Sequence, residues 1–173
     1  IVLPYPYINS GKAKGSLVCD IQAVDPTDST DFTYQLVAGP GDTNNVSFHI
    51  TNNQLFVDSV FIFPTTKKVY VRIKVTDKDG LSFEKGLTIS INDPPTNITL
   101  NVNSINENAV IGTIIGTFTG TDPNGDILSY TLPSGQQDNA QFAISGGNKL
   151  ASNAVFDYET KKIYNIIVRG TDP

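Results

Sequence analysis

"TKKVYVRIKVTD", residues 66–77, decides the fold, together with its echo "TKKIYNIIVRGTD" at residues 160–172. In the first copy Val69, Val71, Ile73 and Val75 alternate with Lys68, Tyr70, Arg72 and Lys74. Successive side chains of a strand point to opposite faces, so the pattern predicts a strand with one face in a core and the other in water. No stretch carries convincing helical periodicity, and Thr, Val, Ile, Asn, Gly and Pro are plentiful, which favours strands joined by tight turns.

Working outward, the repetition extends well beyond these two strands. Residues 9–26, "NSGKAKGSLVCDIQAVDP", align without a gap on residues 106–123, "NENAVIGTIIGTFTGTDP". "FTYQL" (32–36) then pairs with "LSYTL" (128–132), and "SFHI" (47–50) with "QFAI" (141–144). The period is about 95 residues, the size of a small β-sandwich. In the first copy strands are predicted near 2–8, 16–24, 32–38, 46–50, 54–62, 68–76 and 81–91, and seven alternating strands separated by turns are a sandwich signature. The fold class is therefore all-β, two tandem Greek-key β-sandwiches of immunoglobulin-like type, over residues 1–93 and 94–173. "INDPPTN" (91–97) forms the joint, because its paired prolines cannot donate to a ladder and they stiffen the chain. After Asp77 the first copy continues through "KDGLSFEKGLTISI" (78–91), whereas the second stops at Asp172-Pro173. The second sandwich is thus expected to lack its last strand, leaving a sheet edge unpaired, and more chain is expected in the native protein.

Composition excludes several function classes. The chain has 173 residues and a net charge of −5, and its Lys and Arg are scattered rather than striped, which argues against nucleic acid and anionic membranes as partners. No run of about 18 apolar residues is present to span a membrane, and the start "IVLPYPYINS" lacks the basic and apolar regions of a signal peptide. A lone Cys19, alternating with Leu17 and Ile21, reads as a buried small thiol and rules out an internal disulfide framework. His49, the sole histidine, reads as a solvent-facing strand residue opposite Phe48 and Ile50, so zinc and acyl-transfer chemistry lack parts. Asn45-Val46-Ser47 and Asn97-Ile98-Thr99 have the form of N-glycosylation acceptors, a weak signal in a chain so rich in Asn, Ser and Thr.

The acids are distributed unevenly between the copies. "FDYETKK" (156–162) lies against "IFPTTKK" (62–68), so Asp157 and Glu159 fall opposite Phe63 and Thr65. "INENAVIGTIIGTFTGTDPNGD" (105–126), "FDYET" (156–160), "RGTD" (169–172) and the linker "NDPPTN" (92–97) resemble extracellular cadherin repeats, particularly those of large bacterial and invertebrate surface proteins. The resemblance covers nearly the whole chain, strongly in the second copy and moderately in the first. It implies cadherin-like sandwiches with Ca²⁺ held between successive domains. Calcium is a hard cation taking six to eight oxygens, so carboxylates from separate loops have to converge on it.

Position by position, the resemblance implies two ligand groups. Glu107, Asp157 and Glu159 match the set that would serve a junction with a third repeat beyond Pro173, and would be filled once that repeat is attached. Asp122, Asn124 and Asp172 match the set facing the junction between the two copies, with Asn92 and Asp93 as its linker residues. The first copy has Ser10, Phe63 and Thr65 where that junction requires Glu, Asp and Glu. The expectation is either a calcium-free, more pliable junction or one weak ion held by Asp122, Asn124, Asp172 and Asn92. At the first copy's far end Asp25 and Asp77 remain, but the second acidic position is Thr27; Asp28 and Asp31 read as turn acids rather than substitutes.

The function implied is a non-enzymatic structural or adhesion module of a larger extracellular or cell-surface protein. Its partners would be neighbouring repeats and a homophilic or heterophilic protein or glycan. One alternative is a carbohydrate-binding module presenting Tyr5, Tyr7 and Tyr70. Another is a filament building block whose absent strand is donated by a neighbouring chain. Asp157 and Glu159 could form a glycosidase pair only inside a cleft with aromatic platforms, and the chain contains no Trp.

Overall fold

A computed structural model describes residues 1–26 and 31–172. Thr27 and Asp28, singled out above, and Pro173 lie outside the described residues. The chain is all-β and forms two compact units, Ile1–Asp93 and Pro94–Pro173. No helix among the described residues is long and apolar enough to cross a membrane.

Unit 1 contains β1 (Tyr7–Asn9), β2 (Leu17–Asp20), β3 (Thr33–Leu36), β4 (Phe48–Thr51), β5 (Gln54–Val57), β6 (Lys68–Thr76) and β7 (Ser82–Asn92). They form a four-stranded sheet, β1-β7-β6-β3, and a three-stranded sheet, β2-β5-β4. The alternation in β6 is realised as predicted: Val69, Val71 and Ile73 are 0% exposed and Val75 is buried, while Lys68 and Tyr70 face solvent. Val69, Val71 and Ile73 meet Ile89 and Ile91 of β7 and Leu55 and Val57 of β5 in one core, so the two sheets share a single apolar interior.

Val46 and Ser47 lie in a short 3-10 turn rather than a strand, the strand predicted near 54–62 ends at Val57, only Arg169–Thr171 of the echo at 160–172 is a strand, and two further readings change. Residues 2–8 are not one strand: Val2 bridges Gln22 next to the three-stranded sheet, whereas β1 pairs in parallel with β7 in the other. Pro4 and Pro6, which cannot donate to a ladder, stand between these two pairings and allow the segment to change sheets. Cys19 and Ile21 are buried but Leu17 is 39% exposed, because the β2–β5 register shifts between Leu17 and Cys19. One extra residue there turns Leu17 outward and Val18 toward the core. Burial pushes the Cys19 thiol pKa up, as expected of an inert core cysteine.

Unit 2 contains β8 (Asn97–Leu100), β9 (Ile114–Thr121), β10 (Ser129–Thr131), β11 (Phe142–Ser145), β12 (Lys149–Ser152) and β13 (Arg169–Thr171). Its sheets are β11-β12-β9-β8 and the pair β10-β13. The core is smaller, built on Ile115, Phe118 and Leu150 with aromatic packing: Phe118 on Tyr130 and Phe142 on Phe156. Gly116 is required on β9, since a Cβ there would stand 2.2 Å from the Val102 carbonyl oxygen.

In each unit an asparagine clamps the segment that carries the repeat. Asn45 Oδ1 accepts from the Arg72 amide at 2.9 Å, and its Nδ2 donates to the Val37 carbonyl at 2.9 Å. In unit 2 the buried Asn139 accepts from the Ile167 amide at 2.9 Å and donates to the carbonyls of Pro133 at 2.8 Å and Ile167 at 2.9 Å. Asn139→Ala leaves these backbone groups unsatisfied, and a loss of about 1–3 kcal/mol per stranded buried group is the usual scale. Urea unfolding followed by tyrosine fluorescence is expected to show unit 2 destabilised on that scale by Asn139→Ala, with Ala140→Ser, at an exposed neighbour, near neutral.

Candidate metal centre

Phe156 anchors the site. It is buried against Phe142 and Tyr164, with ring centroids 5.3 and 4.6 Å away, and the chain emerges from it directly into Asp157. The next residues make one tight turn, closed by the Lys161 amide donating to the Asp157 carbonyl at 3.0 Å. Within the turn Asp157 Oδ1 accepts from the Glu159 amide at 3.0 Å, and Oδ2 accepts from the Thr160 hydroxyl at 2.7 Å. A second segment crosses here: the Asn108 amide donates to the Phe156 carbonyl at 2.9 Å, with Asn108 at φ 57°. This left-handed residue, a conformation asparagine tolerates better than most, brings Glu107 over the turn, where its Oε2 accepts from the Tyr158 amide at 3.2 Å.

Glu107, Asp157 and Glu159 consequently converge, with one oxygen from each within 4.8 Å of the others, all on exposed side chains. Among the described residues this is the group of His, Cys, Asp or Glu side chains placed to share an ion. The nearby lysines are turned elsewhere: Lys161 pairs with Asp138, and Lys162 lies over the Tyr158 ring at 4.7 Å. All-carboxylate ligation with solvent access suits a hard, multiply coordinated cation such as Ca²⁺, and does not suit zinc or copper, which favour nitrogen and sulfur.

Unit 1 has the same scaffold without the charges. The Gly11 amide donates to the Phe61 carbonyl at 2.8 Å, Gly11 also has positive φ, and Phe61 stacks on Phe48 at 5.6 Å. The Phe63 amide, counterpart of that of Tyr158, donates to Ser10 Oγ at 3.1 Å. Ser10 thus holds the place of Glu107 and satisfies the same amide without contributing a carboxylate. The turn bond from the Thr66 amide to the Ile62 carbonyl, at 2.8 Å, matches Lys161 to Asp157. It places Ile62 and Pro64, rather than Phe63 and Thr65, opposite Asp157 and Glu159. The correspondence slips by one residue from the ungapped alignment, but neither copy of the comparison puts an acid in unit 1.

The other sequence-derived residues are placed within their own units. Asp122 follows β9, and its Oδ1 accepts from the Asn124 amide at 2.7 Å and the Asp126 amide at 3.3 Å, winding the "DPNGD" loop around it. Asp122 Oδ2 is out of solvent contact and has no hydrogen-bond partner, an orphaned oxygen of the kind a cation satisfies. Asp172 directly follows β13, Asn92 is the buried end of β7, and Asp93 closes unit 1. Asp77 Oδ1 accepts from the amides of Asp79 and Leu81, both at 2.9 Å, so it organises the β6–β7 turn. Asp25 borders a groove with Asp77, and Asp31 adopts φ 67°. Asn97 is exposed on β8, but Asn45 Nδ2, the atom a glycan would occupy, is the clamp donor described above. That structural role went unread in the sequence, although Asn45 and Asn139 each stand three residues before the repeated Phe48 and Phe142. His49 is exposed, stacked on Phe56 and 3.0 Å from Asp58.

No family model matches the chain, and no curated protein matches it. Among solved structures it is similar to human protocadherin-24 EC1-2, with 17% identity over 95% of this chain and 88% of that one and a TM-score of 0.43. It is likewise similar to chicken VE-cadherin EC1-2, with 16% identity over 96% and 87% and a TM-score of 0.41. For the protocadherin gammaB7 EC3-6 cis-dimer structure the values are 19% identity, 99% of this chain and a TM-score of 0.39, and the match spans 43% of the length of that solved chain.

The Asp157 carboxyl is held below the usual carboxylate range, first by the Thr160 hydroxyl and then by the Glu159 amide. A depressed folded-state pKa contributes stability that is present above the unfolded value and lost as pH falls through the folded one. Thr160→Ala is therefore expected to raise the Asp157 pKa toward the ordinary aspartate range, as read by carboxyl-carbon NMR titration. An unchanged titration would assign the effect elsewhere.

Proposed function

We propose that the chain is a non-enzymatic, extracellular structural or adhesion module built from tandem cadherin-like sandwiches, and that Glu107, Asp157 and Glu159 hold Ca²⁺. The observation that carries this reading is the convergence of three carboxylates on a scaffold whose counterpart in unit 1 offers Ser10, Ile62 and Pro64. A sandwich does not need acids at these positions to fold, since unit 1 folds the same turn without them. Gathering three exposed negative charges costs like-charge repulsion that a bound cation removes.

When bound, calcium would supply charge neutralisation and a rigid link between chain segments that otherwise meet through few hydrogen bonds. On the protein side, the Tyr158 amide positions Glu107, while Thr160 and the Glu159 amide position Asp157. Three carboxylates offer at most six oxygens, so the six to eight that calcium takes require water or ligands from a following repeat. Within unit 2, Asp122, Asn124 and Asp172 would serve at most one weak ion, and the orphaned Asp122 Oδ2 supports a cation there. Partners of the module would be neighbouring repeats and another surface protein. The glycan-binding alternative draws on Tyr5, Tyr7 and Tyr70, which are 74, 42 and 43% exposed.

Calorimetry tests the reading on this chain and on a chain extended by a following repeat. Binding is expected at about 10⁻⁴ to 10⁻³ M, the range of extracellular calcium modules, stronger in the extended chain and abolished by Asp157→Asn with Glu159→Gln. Absence of calcium binding in both wild-type chains, or binding that survives the double substitution, would overturn it.

A further inference from the structure

In unit 1 the strand β6 is paired along both edges, by β3 and by β7, and β7 is in turn paired with β1. The clamp bonds to Arg72 and Ile167 fix the counterpart of β6 in unit 2, so that Tyr164, Ile166 and Val168 stand where Val69, Val71 and Ile73 stand in unit 1. Those three unit 1 residues are 0% exposed, whereas their counterparts are only partly buried. One edge of the segment is engaged, by Asp138 and Asn139. On the other edge the backbone groups of Tyr164 and Ile166 have no backbone partner among the described residues.

That open edge is one wall of a groove of about 530 Å³ within unit 2. Tyr164 and Ile166 line one side, Ser104 and Ile105 the other, and Leu150 and Phe142 contribute apolar surface. The Ser10 and Glu107 correspondence makes Ser104 and Ile105 the counterparts of Tyr7 and Ile8, the β1 residues that flank β7 in parallel. The groove is thus bounded as the β7 position is bounded in unit 1: an antiparallel neighbour on one side and a parallel one on the other. A slot flanked by segments equivalent to two paired strands suits an extended chain better than a compact ligand.

We propose that this groove accepts one polypeptide strand bearing an acid followed, three residues on, by apolar residues at alternate positions, as in Glu84, Leu87, Ile89 and Ile91 of β7. In the β7 register the first two apolar residues come opposite Ile166 and Tyr164, and the third lies beside Ile105. The acid comes opposite Arg169, an exposed cation in the place of Lys74, the cross-strand neighbour of Glu84, whose own ion pair in unit 1 is with Arg72 at 3.0 Å. Charge and apolar spacing thus specify the same strand in the same direction. The inference rests on backbone pairing and burial and needs no bound calcium, although Glu107 of the proposed metal site also lines the groove.

The test uses a synthetic peptide with the sequence of residues 81–92, LSFEKGLTISIN, added to the whole chain, and the same segment fused after residue 173 through Lys-Asp-Gly. Hydrogen exchange at the Tyr164 and Ile166 amides is expected to slow by about tenfold or more as these amides gain partners. A peptide carrying Leu87→Ser, Ile89→Ser and Ile91→Ser is expected to have no effect. The fused segment has a high effective concentration, so weak affinity does not conceal the site. Unchanged exchange in the fused chain, or equal protection by the serine-substituted peptide, would overturn the proposal.

Discussion

A sandwich strand has one face to bury and two edges to pair, and β6 is where unit 1 satisfies all three demands. Its inner face is fully covered, β3 and β7 take its edges, and Asn45 closes the gap in the ladder beyond β3. The order of the sheet follows from this, because β7 can cover β6 only by running back along it and then needs β1 on its own far side. Unit 2 meets the same demands incompletely. Its equivalent segment has one edge held by Asp138 and Asn139, and its core leans on aromatic stacking among Phe142, Phe156 and Tyr164.

The carboxylate centre shows how charge is added to a scaffold that does not depend on it. Both units cross a left-handed residue over a buried phenylalanine and close a tight turn behind it. In both, a side chain accepts from an amide of that turn: Ser10 in one, Glu107 in the other. Serine spends its hydroxyl oxygen on that bond, whereas glutamate keeps a second oxygen for another partner. Asp157 and Glu159 add theirs from the turn itself. Burial plays little part, because all three acids are exposed, so the cluster persists through hydrogen bonds to amides and to Thr160 rather than through enclosure.

Much of this was legible in the sequence. The period-two alternation of 68–75 gave the strand and its inner face directly, since side-chain direction follows from strand geometry alone. The resemblance to cadherin repeats pointed to Glu107, Asp157 and Glu159, whose side chains the structure brings together. Less was legible where tertiary pairing overrides local pattern. The prolines at 4 and 6 carried a signal for a break, but not that Val2 and β1 would join different sheets. Asn45 looked like a glycan acceptor because a sequence motif does not reveal that its amide is already used inside the fold.

The sequence by itself determined that the chain is all-β, that a unit of one sandwich is repeated, and that the second copy carries Glu107, Asp157 and Glu159 where the aligned positions of the first carry no acid, because alternation, repetition and residue type are local properties. The tertiary structure alone decided the register between the copies. "TKKVY" and "TKKIY" look superimposable, yet Tyr70 faces solvent while Tyr164 packs its ring on Phe142 and Phe156. The clamp asparagines set Arg72 against Ile167, one residue beyond the ungapped match, and in a strand a shift of one residue turns every side chain to the other face.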